Sequence, residues 1–183
     1  MGATLWYHEA PWHPEPLTAL KTFQARFLAE KYDLSALLPQ HLANARESVA
    51  ITKAEGDPYE LLETYQEEVQ LLERLCSQPI PQDFEGQIKI LRKISASSGQ
   101  GIGNILDIER VSKRRRYNVA QPLSGSEMIR LVGTERPTRA QAKKAVHKIN
   151  EELGRGECVC FPIYDSSEMS QPVGWYFVGN TID

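Results

Sequence analysis

The eight residues PVGWYFVG, 172 to 179, carry apolar side chains on both faces of any strand they form. Val173, Trp175 and Phe177 point one way, and Tyr176 and Val178 the other. The segment ECVCFPIY, 157 to 164, reads as a partner strand with Val159, Phe161 and Ile163 on one face, and the polar stretch 165 to 171, DSSEMSQ, supplies the turn of a hairpin. A strand that is apolar on both faces must be covered on both. The sequence therefore predicts helices packed against this C-terminal hairpin, with LWYHE (5 to 9) or ILDIE (105 to 109) adding another strand. Pro162 places its own strand at an edge or a bulge, because proline donates nothing to a ladder.

The first half follows a helical period. After the proline-punctuated APWHPEP, Pro16 suits a first helical turn, and Leu20, Phe23 and Phe27 form one apolar stripe of a helix over about residues 16–31. Pro39 fits the first turn of a second helix, lined by Leu42, Ala45 and Val49 and closed by Gly56. Asp57, Pro58 and Glu60 form a capping box for a third, whose seam is Leu62, Tyr65, Val69, Leu72 and Cys76 and whose acidic face gathers Glu60, Glu63 and Glu67. The break SQPIPQD ends it, and Asp83 caps a fourth helix with Phe84, Ile88 and Leu91 facing inward. Further on, Ser124 or Ser126 caps a short helix. A longer one runs over about 137–153 to Gly154, with Ala142, Val146, Ile149 and Leu153 inward and Lys143, Lys144, His147 and Lys148 toward solvent.

The fold class is thus α+β: an N-terminal antiparallel helical bundle with a short N-terminal strand, residues 1–98, then a smaller α+β part with the C-terminal β-hairpin, residues 99–183. The 183 residues suffice for one sizeable domain, or for two small parts that share a core.

Charge is distributed unevenly. The whole chain carries net -3, which argues against a protein wholly devoted to nucleic acid. Residues 110–148 nevertheless hold eleven Lys or Arg against two acidic residues, net +9, between flanks that are both acidic. Its centre is Lys113, Arg114, Arg115 and Arg116, followed by Tyr117. Guanidinium forks suit phosphate and carboxylate, and a tyrosine can stack on a base or pack an arginine stem. With Arg139, Lys143, Lys144 and Lys148, these residues are the candidate partner- or anion-binding surface, provided folding brings them together. The competing account is internal, with the basic segment neutralising acidic residues such as Glu60, Glu63 and Glu67.

Other chemistry has little local support. Gly99, Gly101 and Gly103 follow a helix rather than a strand, and no Gly-Lys-Ser/Thr appears, so they read as a joint and not as a nucleotide loop. His8, Glu9 and His13 straddle a proline-rich turn without metal-ligand geometry. Cys158 and Cys160 point the same way on one strand and read as buried reduced thiols; as nucleophiles they would need a base such as His8 or His147 beside them. The sequence assigns no catalytic residue, metal ligand or cofactor.

No apolar run approaches the roughly 18 residues of a membrane helix. The N-terminal residues lack a signal-peptide pattern, and Trp6 stands where a myristoylation motif carries Ser or Thr. The reading is a non-catalytic cytoplasmic interaction protein, regulatory or immunity-like, whose partner is another protein, with Trp6 or Trp12 as aromatic anchors if these are exposed. The alternatives are a nucleic-acid-binding protein using residues 110–148, and an enzyme with a cleft between its halves. Oligomeric state is left open.

Overall fold

The computed structural model describes residues 4–56, 59–97 and 101–181. Along the chain these form β1 (Leu5–Pro11), α1 (Pro16–Lys31), α2 (Leu34–Glu55), α3 (Tyr59–Cys76), α4 (Phe84–Ser97), a 3-10 turn (Ile105–Asp107), β2 (Arg110–Val111), β3 (Val119–Pro122), α5 (Gly125–Val132), α6 (Arg139–Asn150), β4 (Glu157–Tyr164) and β5 (Pro172–Asn180). The protein is α+β, and β4 and β5 form the expected C-terminal hairpin. Its contacts divide into two units, one of residues 1–27 and 101–183, which holds the sheet, and a helical one of 28–100. The first strand and most of the first helix thus fall in the unit that holds the sheet.

The sheet has the order β1-β5-β4-β3-β2. β1, β5 and β4 are antiparallel neighbours, whereas β4, β3 and β2 run parallel. The register sets Val159 opposite Val178 and Phe161 opposite Tyr176, and these join Ile163 in a core completed by Met128, Leu131, Ala142, Val146 and Ile149 of α5 and α6. On the other face Cys158, Cys160, Trp175 and Phe177 pack with Trp6 and Ala10 of β1, Ala19, Leu20 and Phe23 of α1, and Ile105 and Ile108. Both apolar faces of the hairpin are therefore covered by helix. Gly179 lies beneath the Trp6 indole, which occupies the space a Cβ would need.

The structure revises the expected arrangement in several details. The α1 stripe does not enter the helical bundle: Leu20 and Phe23 cover the sheet, because the chain leaves β1 and turns straight back over the face that β1 helps to build. Of the two segments expected to offer a further strand, LWYHE supplies it within β1, and Ile105–Asp107 of ILDIE forms the 3-10 turn. Of the two placements expected for Pro162, an edge or a bulge, the edge is excluded because β4 is the central strand, while the β4–β5 register shifts one residue further on, between Ile163 and Tyr164. Leu123 donates its N–H to the Cys160 carbonyl at 2.9 Å, so the backbone of Cys160, and by alternation that of Pro162, faces the β3 side. β3 has already ended there at Pro122, and the missing N–H breaks no ladder bond.

In the helical unit, Asp33 caps α2 by accepting from the Ser35 and Ala36 N–H groups at 3.0 and 3.4 Å, and Gly56 closes it with φ 70° and an N–H to the Thr52 carbonyl. This cap starts α2 earlier than expected and leaves Pro39 inside the helix, on an exposed position. α2 and α3 are antiparallel, with Leu38, Ala45, Leu72 and Leu75 meeting Ile94 of α4 in one core and Arg46 paired to Glu73 at 2.7 Å. Cys76, expected in the α3 seam, is exposed. Asp83 caps α4 through the Gly86 N–H at 2.7 Å. Asp57, Pro58, the Glu60 side chain and Gly99, which carried the capping box and the helix stop, lie outside the described residues. Among the described residues no helix is long and apolar enough to cross a membrane.

His8 projects from β1 into a cage of aromatic rings, with centroids 5.0 Å from Phe27, 5.4 Å from Phe23 and 5.8 Å from Trp6. Burial there pushes its pKa down from 6.5 to about 4. Between those values the unfolded chain holds a proton that the folded chain lacks, so stability is level above pH 6.5 and declines as pH falls toward 4. Urea midpoints measured across this window should drop for the wild type and drop less for His8→Gln. Equal slopes for the two proteins would contradict the assignment.

Candidate functional site

Gly101 to Asp107 is organised around its own carboxylate. The Ile102 and Gly103 N–H groups donate to Asp107 at 2.8 Å each and Asn104 N–H at 3.3 Å, with Gly103 at φ 78° to turn its amide inward. Successive amides pointing into one concavity are what an anion-binding loop requires. Here the anion is the side chain of Asp107, only 8% exposed, and the stretch leads into a 3-10 turn instead of an α-helix. Gln24 of α1 pins the turn by donating to the Ile105 and Ile108 carbonyls at 2.7 and 2.8 Å. Gly103 thus serves a turn within the sheet unit.

The basic run occupies the loop 112–118 between β2 and β3. Parallel neighbours ordinarily need a crossover of about a dozen residues. Seven suffice here because β2 is only two residues long. The turn closes through Asn118 at φ 56°, whose N–H donates to the Gly156 carbonyl at 2.9 Å, and through Val119 N–H to the Arg116 carbonyl at 3.2 Å. Arg115 alone in the run folds inward. Its Nε donates to Gln121 Oε1 and its Nη1 to the Glu152 carbonyl, both at 2.9 Å, with Nη2 at 4.0 Å from Glu127. Lys113, Arg114 and Arg116 on either side of it are exposed and have no ion pair among the described residues. Tyr117 is 54% exposed in the same loop, and partial burial together with the Asp107 charge raises the pKa of its hydroxyl.

The remaining candidates separate. Lys143 and Lys144 are exposed on α6 without an acidic partner among the described residues. Lys148 donates to the Arg130 carbonyl at 2.5 Å, while the Arg130 guanidinium grips Glu152, one of its two bonds measuring 2.7 Å. That pairing draws the Glu152 carboxyl below its usual range; Glu127 is lowered first by the Ser124 amide and hydroxyl and then by Arg115 and Arg130. Arg139 clasps Glu9 of β1 at 2.7 to 2.9 Å. β1 and β2 are the two outer strands of the sheet, so Arg139 sits at the far edge from the basic loop, roughly 19 Å across at about 4.8 Å per strand. Folding thus presents Lys113, Arg114, Arg116 and Tyr117 together, and uses Arg115, Lys148 and Arg139 internally.

Burial pushes the Cys158 and Cys160 thiols far up, opposite to what a thiolate nucleophile needs. Among the described residues no group of three His, Cys, Asp or Glu side chains is placed to hold a metal ion. Trp6 is buried, so it is no surface anchor. Trp12 is 38% exposed, but its ring stacks on Trp175 at 5.5 Å. Sequence reasoning missed Gln121, Glu127 and Glu152, the groups that fix Arg115. The Ser124-to-Glu127 spacing of a capping box marked one of them, whereas nothing local marks the other two.

Comparison with protein-family models, curated proteins and solved structures finds no match to this chain.

Removing the inward arginine strands Gln121 and two acceptors, and a lost hydrogen bond to a charged group costs about 1.5–3 kcal/mol. Urea denaturation should therefore show Arg115→Ala destabilised by about that amount, with Lys113→Ala, Arg114→Ala and Arg116→Ala each within about 0.5 kcal/mol of wild type. Equal effects at all four positions would remove the distinction.

Proposed function

We propose that this chain is a non-catalytic protein-interaction protein, regulatory or immunity-like, that presents the 112–118 loop to an acidic surface of a partner protein. The observation that carries the reading is the alternation within one loop: Arg115 is held by Gln121 and Glu152, while Lys113, Arg114 and Arg116 face solvent without an ion pair among the described residues. A loop already anchored loses less conformational freedom when it docks. Tyr117, more than half exposed beside the cations, adds a rigid amphipathic contact of the kind enriched at interfaces. We place the protein in the cytoplasm, a reading supported by three cysteines that are all unpaired.

The nucleic-acid reading draws on the same loop, since Tyr117 next to arginine forks resembles a stacking platform. It is second because three of the nine candidate residues, Arg115, Arg139 and Lys148, are engaged within the chain.

The triple substitution Lys113→Ser, Arg114→Ser and Arg116→Ser separates the readings. Captured partner should fall about tenfold, the size of change that 1.4 kcal/mol produces, while thermal unfolding is unchanged. Undiminished capture contradicts the proposal. Retention of the wild type on heparin and a shift of labelled oligonucleotide, both falling steeply with salt and both absent in the triple variant, transfer the surface to nucleic acid.

A further inference from the structure

β1 is the long outer strand of the sheet; the opposite outer strand, β2, has two residues against its seven. The direction of its free backbone groups follows from its ends. Thr4 accepts from the Thr181 N–H at 3.0 Å, so Thr4 faces β5, and by alternation Trp6, His8 and Ala10 do so too. The N–H and C=O groups of Leu5, Tyr7 and Glu9 therefore point away from the sheet. No other element of the described chain hydrogen-bonds to them.

Exposed edges are normally blunted by charged side chains, a proline, a bulge, shortness or a covering helix or loop. β1 carries them only weakly. Its seven pairs with β5 run in unbroken register, and its proline is the last residue, Pro11. Its one acidic side chain, Glu9, is neutralised by Arg139. Tyr7, 43% exposed, lies at the middle of the outward trio with its ring stacked on Tyr176 at 5.9 Å.

We propose that a second copy of this chain pairs its β1 antiparallel to this one, about a two-fold axis through Tyr7. The trio is self-complementary under that operation: Tyr7 meets Tyr7 of the copy, and Leu5 and Glu9 exchange places, each pair trading an N–H and a C=O. On one face the Tyr7–Tyr176 stacks of the two copies become a continuous aromatic row, and on the other Trp6 of each copy lies opposite His8 of its mate. The two sheets join into one without opening either core. This surface is independent of the basic loop, which lies beside the opposite outer strand.

Light scattering during size-exclusion chromatography over a concentration series tests it. The wild type should approach twice the 20.7 kDa chain mass as concentration rises. Tyr7→Pro removes an outward N–H and leaves the β1–β5 ladder whole, so it should fold and stay at 20.7 kDa. Should that variant fail to fold, Tyr7→Glu and Tyr7→Lys carry the test. Each alone sets like charges face to face on the axis and should be a monomer, while their mixture should form a one-to-one dimer. A wild type that stays at single-chain mass at every concentration overturns the proposal. So does a dimer that persists in Tyr7→Pro, or a mixture of the charged variants that does not pair.

Discussion

Cys158, Cys160, Trp175 and Phe177 leave one side of two neighbouring strands while Val159, Phe161, Tyr176 and Val178 leave the other, and both sets must be removed from water. Burying a large apolar side chain contributes about 1.5–3 kcal/mol, so neither set can be left exposed in a chain whose net stability is a small difference of large terms. The need for two helical layers follows. α5 and α6 close one side, and α1 with the 105–108 segment closes the other. Gln24, fully buried, ties the last two together, and β1 is held to the pair through the Trp6 indole above Gly179. The helical unit of residues 28–100 has its own core and its own acid–base pair, Arg46 with Glu73.

The same packing decides which basic side chains are available. Those that run back across helix surfaces in the sheet unit find acceptors: Arg115 reaches Gln121 and Glu152, Arg130 reaches Glu152, and Arg139 reaches Glu9. Lys113, Arg114 and Arg116 stand on the outer side of a loop whose inner side is filled by Arg115, and they meet none among the described residues. A run of four basic residues is thereby divided by the direction of its side chains, three outward and one inward. The charge excess of the segment overstates the surface available to a partner.

Much of this was legible in the residues. Caps mark several helix ends in the residues: Asp83 starts α4 and Gly56 stops α2 as expected. The two-faced hairpin announced its covering layers. What escaped has physical causes. β2 and β3 are two and four residues long and flank the charged run, too short to show an alternation. Pro39 reads as a first turn by its residue type alone, whereas Asp33, accepting from the Ser35 and Ala36 amides, starts α2 ahead of it. Pro162 leaves an edge and a bulge both open in the residues, because its tolerance depends on where the neighbouring strand ends and where the register shifts. Asp107 showed no sign that it would fill the glycine loop, and Arg115 looked like its neighbours. Side-chain direction within a loop is a tertiary property.

The central claim is that folding divides the basic run into one internal strut and three outward cations. Timed modification of arginines by phenylglyoxal in the native chain, followed by peptide mass spectrometry, reads that division directly. Arg114 and Arg116 should react several-fold faster than Arg115, Arg130 and Arg139, and the difference should vanish in denaturant. If Arg115 reacts as fast as its two neighbours in the folded protein, or those neighbours are as protected as Arg115, the account is wrong.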